Sequence, residues 1–434
     1  MACSMNKNEE SNFTLIINYM GMQIGGIEGY LAKLMEHSLK NCYRVIWLTN
    51  QVCDNESCYK NITNHPKVEK IYIKSGYHWE YNVKIAFHAQ EKITMFSCEP
   101  LHFLRGENLR KKYKNVKSFS HYLVLPHFTG CAYYPERFFK FKFIHRFYFS
   151  YMKHIATKLN NFNCIRAFAL KHLENYEKNY NISIRNKTDK ILASVKEPIY
   201  HSEDFWENKA DERKRIFNIV TCARFDFPHK GYLVGLIDCY KLLKLKHSQI
   251  KLTIVGYGNG QALLEKKISE LPFEIRKDID LQGALTNEEL REQFCEGHLN
   301  VGLAGALADG AYCGLPSLLV RHYTYDCETY GQISDIQGTL LKTEKGENLI
   351  PFVEKFINMT NEEYIYNCKK DYLFVQNLKT YNPNYIFEQC NSEEQLFFSK
   401  KELKRAKILN FFCYIKQKFF GVKSYDDIKD EECR

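Results

Sequence analysis

The chain alternates short apolar, β-rich runs with helical stretches, and it does so in two successive series. Strands joined by crossover helices pair in parallel, and the helices then cover both faces of the sheet. The first series opens with FTLIINYM (13–20), passes through a Gly-bearing turn into a helix with Ile27, Leu31, Leu34 and Met35 at helical spacing, and returns as RVIWLTN (44–50). Further strand candidates are 67–74, 92–98, 116–125 and 163–170. After Pro198 a charged stretch (201–215) reads as a connection plus a helix, and the pattern restarts. Its strands are expected at 216–223, 250–260, 278–283, 298–304 and 316–320, with helices at 231–245, 286–297 and 306–314.

This pattern predicts an α/β protein of two tandem Rossmann-like doubly wound domains with a cleft between them. The expected division is 1–198, 199–375, and C-terminal helices with a basic aromatic tail over 376–434. At 434 residues a single small binding module is excluded. The 61 Lys and Arg against 51 Asp and Glu leave a net charge of +10, an excess that attracts phosphate-bearing partners without naming one. The start, MACSMNKNEE, shows neither the basic residues nor the apolar core of a secretory signal, and no run is long enough to span a bilayer. Sixteen scattered cysteines show no metal-ligand spacing and read as reduced core thiols in a cytosolic protein.

Five motifs in order resemble one known family. ARFDFPHKG, LTIVGYG, LQGAL with TNEEL, and GALADGAYCGLP are similar to the donor-binding domain of GT-B glycosyltransferases of the family 4 (group 1) type, and GGIEGYLAKL to the Gly-Gly loop of their acceptor domain. The resemblance covers about 90 residues of the second half well and the first half loosely. It implies a sugar moved from a nucleotide-sugar substrate to an acceptor hydroxyl, with retention of configuration and with neither metal nor cofactor. Arg224 and Lys230, following the first strand of the second series, are then the expected catalytic cations on the departing diphosphate, and Pro228 and Gly231 frame their loop. His121 resembles a family histidine facing the donor sugar and is the third catalytic candidate. Gly25 and Gly26, Gly256 and Gly258, and the helix opening Gly305, Ala306 and Leu307 are expected around the donor phosphates, with Asp309 on the ribose hydroxyls.

Each assignment has a plainer alternative: solvated surface charges, a locally satisfied carboxylate, packing turns, and for His121 a core histidine. The pattern also departs from the family. Eight residues before Asp309 the family carries a glutamate, and here the position is Val301. Asp326 and Glu328 are possible substitutes or members of a solvated loop. The departure keeps a non-catalytic partner subunit open beside the transferase, and the fold keeps a sugar-nucleotide epimerase open.

Aromatics reach 15% of the chain, and two segments hold much of the surplus. Residues 135–154 carry eight aromatics and five Lys or Arg against one acid; residues 399–423 carry eight Lys or Arg against one acid, with Ile408, Leu409, Phe411, Phe412, Ile415, Phe419 and Phe420. Interleaved aromatics and cations suit single-stranded nucleic acid, but no RNA-binding motif accompanies them, so no nucleic-acid partner is expected. The segments predict adsorption to an anionic membrane surface, peripherally on the inner face of the cytoplasmic membrane. A lipid-linked glycan acceptor, as in assembly of bacterial surface polysaccharide, follows by analogy.

Overall fold

The computed structural model describes residues 13–19, 21–22, 26–49, 59–73, 83–113, 115–126, 142–192, 199–337, 340–377 and 398–420. The chain divides into two compact units, Met1–Lys196 with Tyr381–Val422, and Glu197–Thr380 with Lys423–Arg434. The described residues 398–420 group with the first unit.

The first unit is built on six parallel strands, β1 (Phe13–Asn18), β2 (Arg44–Thr49), β3 (Val68–Tyr72), β4 (Lys92–Ser97), β5 (Ser118–Leu125) and β6 (Ile165–Ala167), in the order β3-β2-β1-β4-β5-β6. Successive side chains of a strand point to opposite faces, so the unbroken apolar run of β1 serves both cores. Leu15 and Ile17 pack with Trp47 and with Leu31, Leu34 and Met35 of helix α1 (Gly26–Lys40). Ile16 packs on the other face with Ile46 and Met95. Helices α2 (Pro100–Arg110), α3 (Lys142–Asn161) and α4 (Leu170–Tyr180) complete this part of the unit.

The second unit carries β7 (Phe217–Cys222), β8 (Ile250–Val255), β9 (Ile279–Gln282), β10 (Leu299–Gly302) and β11 (Ser317–Val320), all parallel. Two antiparallel strands that the sequence pattern did not reveal, β12 (Glu328–Gln332) and β13 (Glu347–Asn348), finish one edge, giving the order β13-β12-β11-β10-β7-β8-β9. Its longer helices are α5 (Glu203–Arg215), α6 (Tyr232–Lys246), α7 (Gln261–Ser269), α8 (Asn287–Glu296), α9 (Ala304–Tyr312), α10 (Leu349–Asn358) and α11 (Asn361–Asn377). The sequence TNEEL starts α8 by a capping box: Thr286 Oγ1 accepts from the Glu289 amide at 3.2 Å, and the Glu289 carboxylate accepts from the Thr286 amide at 2.8 Å.

Helix α12 (Lys400–Phe420) joins the first unit. Leu403 and Leu409 enter the cluster formed by Phe103, Ile155 and Leu159, and Tyr151 Oη donates to the Glu402 carbonyl at 2.7 Å. One face of α12 is therefore docked on the first unit. Among the described residues no helix is long and apolar enough to cross a membrane.

Candidate functional site

In the second unit the chain runs from β7 through β8 to β9 on one side, then returns to lay β10 on the other. The strand order reverses between β7 and β10, the place where open α/β sheets bind ligands at their carboxyl edge. Arg224 and Lys230 lie in the loop after β7, and α9 begins one residue after β10. Both groups predicted from the sequence thus stand at the same reversal.

Local bonding holds the β7 loop in place. The Lys230 amide donates to the Asp226 carbonyl at 2.7 Å, the Gly231 amide to the Pro228 carbonyl at 3.0 Å, and the Phe227 amide to Asn259 Oδ1 at 3.0 Å. Gly231 is needed for close packing, since a Cβ there would meet the Thr324 carbonyl at 2.6 Å. Asp226, which sequence reasoning passed over, forms an ion pair with Arg224. Burial pushes the Lys230 ammonium down to about 8; Asp226 opposes the shift and Arg224 adds to it. Lys230 is still mostly charged at neutral pH, held beside a guanidinium in a partly desolvated place where an anion gains most.

Helix α9 presents its open end beside them. The amides of Gly305 and Ala306 form no hydrogen bond among the described residues, and a Cβ on Gly305 would meet nothing within 4 Å. Asp309 lies half-buried one turn on, at i+4 from Gly305 and i+3 from Ala306, so it shares their side of the helix. Leu307 is buried in the core and serves packing; its amide donates to the Leu303 carbonyl at 3.3 Å. Asn300, unnoticed in the sequence, fixes the helix: its Nδ2 donates to the Ala306 carbonyl at 3.3 Å, the Leu307 carbonyl at 3.1 Å and Ser317 Oγ at 3.1 Å. An asparagine within the apolar strand run HLNVGLA was the available signal.

Gly256 and Gly258 have positive φ, +146° and +151°, and their job is local. A Cβ on Gly256 would lie 1.8 Å from the Ala223 carbonyl oxygen, and one on Gly258 2.8 Å from that of Phe225. They let the β8 turn close onto the end of β7, which accounts for both without a ligand. His322, another residue missed from sequence, is buried, and its Nδ1 donates to the Lys342 carbonyl at 2.7 Å. Burial and then the Lys230 charge bring its pKa down to about 4, so its imidazole is neutral.

Val301 is fully buried in β10, registered with Leu318. Glu328 does not stand in for the missing carboxylate: it opens β12, pairs with Arg321 at 3.0 Å and accepts from the Gly346 amide at 3.0 Å. Asp326 is exposed.

In the first unit the sheet reverses between β1 and β4, and Gly26 opens α1 there, exposed and with nothing within 4 Å of a Cβ. Gly25 lies outside the described residues. His121 is corrected. It sits in mid-β5, its side chain 1% exposed, with Nδ1 on Glu107 Oε1 at 2.7 Å, Nε2 on Ser97 Oγ at 2.8 Å and its ring stacked on Phe103. Both ring nitrogens are engaged inside the unit, as in a satisfied core histidine.

No protein-family model matches the chain, and no curated protein does. Solved structures do match. HepE from Anabaena, determined in complex with UDP and glucose, is 12% identical over 87% of this chain and 97% of that one, with a TM-score of 0.54. WaaG, a glycosyltransferase involved in lipopolysaccharide biosynthesis, is 13% identical over 87% and 100%, with a TM-score of 0.51. A glycosyltransferase from Rickettsia africae is 14% identical over 88% and 99%, also at 0.51. These likenesses define the fold class: two Rossmann-like units of the GT-B type.

Proposed function

We propose that the protein is a glycosyltransferase that moves a sugar from a nucleotide-sugar donor to an acceptor hydroxyl. The observation that carries this reading is the placement of Lys230, Arg224 and the open amides of α9 at one strand-order reversal. As the glycosidic bond breaks, negative charge grows on the nucleoside diphosphate, and cations and amides already fixed there stabilise it without reorganising. HepE with bound UDP and WaaG as a glycosyltransferase support the donor class and the reaction. Family 4 membership, retention of configuration, independence of metal or cofactor, and a lipid-linked glycan acceptor in bacterial surface polysaccharide synthesis complete the proposal.

Asp309 is assigned to the ribose hydroxyls, a contact made equally in ground and transition states. Asp309→Asn is expected to raise the nucleotide Kd and KM about tenfold with little change in kcat. Calorimetry on the folded variant checks this, and a wild-type Kd removes the assignment. The buried Val301 favours one second reading, a subunit that binds nucleotide without transferring. Incubation with labelled donor separates the cases: a transferase releases nucleoside diphosphate in step with label gained by an acceptor, an epimerase alters the donor with no acceptor, and a partner subunit does neither.

The acceptor side rests on an exposed stripe. Ile408, Phe411, Phe412 and Phe419 of α12 are exposed, as are Phe143 and Phe147 of α3, with Lys400, Lys401, Lys404 and Arg405 also at the surface. Aromatics entering the interface beside cations fit peripheral binding at the cytoplasmic leaflet. Replacing Phe411, Phe412 and Phe419 with Ser is expected to lower affinity for phosphatidylglycerol vesicles at least tenfold, and binding should fall as salt shrinks the Debye length from about 10 Å at 0.1 M to 3 Å at 1 M. Cosedimentation that ignores both changes would remove the membrane from the account. Deleting α12 is a poorer test, because Leu403 and Leu409 are core residues of the first unit.

A further inference from the structure

The first unit holds a pocket of about 410 Å³ lined by Asn160, Asn163, Arg185, Asn186, Asp189 and Lys190. Its size falls within the range of small-molecule sites, about 300 to 1,000 Å³. The pocket forms where the chain leaves α3 and enters the amino end of β6, with the segment just before Leu192 as its other wall. It is thus at the opposite strand end from the edge where α/β sheets bind nucleotides.

The charge around it is unbalanced. Lys190 is 7% exposed and its ammonium donates to Asn163 Oδ1, an amide oxygen and not a carboxylate. Arg166, 5% exposed, lies close enough to add to the depression of the Lys190 pKa that burial begins. Its guanidinium donates to the carbonyls of Asn163 and Ile165, both at 2.8 Å, and stacks on the Tyr122 ring at 4.2 Å. Lys187, nearby, is already matched by Glu177 at 2.6 Å. Two cations, Arg185 and Lys190, therefore line the pocket with one carboxylate, Asp189, while Arg166 lies behind Lys190, and among the described residues none of the three cations forms an ion pair. Buried charge is normally matched, and two buried cations next to an open polar pocket leave a place for an anion.

We propose that this pocket binds a phosphorylated sugar, its phosphate against Lys190 and Arg185 and its hydroxyls on the amides of Asn160, Asn163 and Asn186. Ammonium and guanidinium groups supply charge-assisted hydrogen bonds to the phosphate. Asparagine amides offer both donors and acceptors, as hydroxyls require. The site is independent of the transfer reaction and of the donor site.

The test titrates the full chain with glucose 6-phosphate, inorganic phosphate and glucose, in the wild type and in Arg185→Gln, Lys190→Gln and Lys230→Ala. Glucose 6-phosphate is expected to bind more tightly than phosphate, with glucose undetected at the same concentrations. Arg185→Gln should weaken glucose 6-phosphate about tenfold, as for loss of one charge-assisted contact, and Lys190→Gln at least as much, while Lys230→Ala changes nothing. Arg185 is exposed, so its variant carries the test even if Lys190→Gln fails to fold. Equal binding in the wild type and Arg185→Gln, loss of binding in Lys230→Ala, or no binding of glucose 6-phosphate to the wild type would each overturn the proposal.

Discussion

Lys230→Ala is expected to lower kcat/KM with the correct nucleotide sugar by about 100-fold or more, the usual cost of removing a preorganised group aimed at transition-state charge. Arg224→Ala should lose a comparable factor, tempered by its ion pair with Asp226, which already neutralises part of its charge. Folding should hardly change, because Arg224 is exposed and burial disfavours the Lys230 charge. The pH profile gives an independent reading. Lys230 binds phosphate only when protonated, so kcat/KM, which reports the free enzyme, should fall as pH rises through about 8 and keep no such limb in Lys230→Ala. Full activity in the Lys230 variant would take the leaving-group role from that residue.

The second large effect concerns stability. Glu107 accepts from Arg110 Nε at 3.0 Å and Nη2 at 2.8 Å and from His121 at 2.7 Å, while Ser97 Oγ, bonded to His121, also accepts from Asn18 Nδ2 at 2.8 Å. This buried chain ties α2 to β1, β4 and β5. Glu107→Ala leaves a buried guanidinium uncompensated and should cost about 3 to 5 kcal/mol, lowering Tm by roughly 10 °C. Burial alone would raise the Glu107 pKa, but His121 and Arg110 outweigh it and hold it below its ordinary value; burial likewise lowers that of His121. Both folded values lie under the unfolded ones, so both groups add stability that fades with acid. That of His121 is lost as pH falls below about 6.5, and that of Glu107 below about 4.5. Denaturant midpoints measured between pH 8 and 5 should therefore fall in the wild type and fall more steeply in Glu107→Gln, where His121 loses the carboxylate that opposes the lowering of its pKa; parallel curves would place the acid sensitivity elsewhere.

The sheets were readable because central parallel strands such as β1, β2, β8 and β11 are apolar runs flanked by turn residues, as strands buried on both faces must be. The antiparallel strand ETYGQ (328–332) is short and polar, and nothing in its composition separates it from a loop. The β7 loop was legible for a related reason: two cations framed by Pro228 and Gly231 directly after a strand have few places to be. His121 misled because alternation along a strand gives the face of a residue and not what lies against it. Its partners come from Ser97 and Glu107, distant in sequence, and the segment holding Glu107 carries no motif. Asn300 and Asp226 were missed for the same cause, since their roles are defined by the backbone and side chains they meet. At Gly256 and Gly258 what approaches closely is the chain's own carbonyl oxygens, which a Gly-bearing turn in the sequence does not distinguish from a ligand.

We propose that a nucleoside diphosphate binds at the carboxyl edge of β7 and β10. Thermal denaturation of the full chain with a panel of nucleoside diphosphates tests it most directly, since a ligand at 100 times its Kd stabilises the folded protein by about 2.7 kcal/mol. At least one nucleoside diphosphate is expected to raise the Tm, with the rise abolished in Lys230→Ala and reduced in Asp309→Asn. No shift with any nucleoside diphosphate, or a shift indifferent to Lys230, would contradict it.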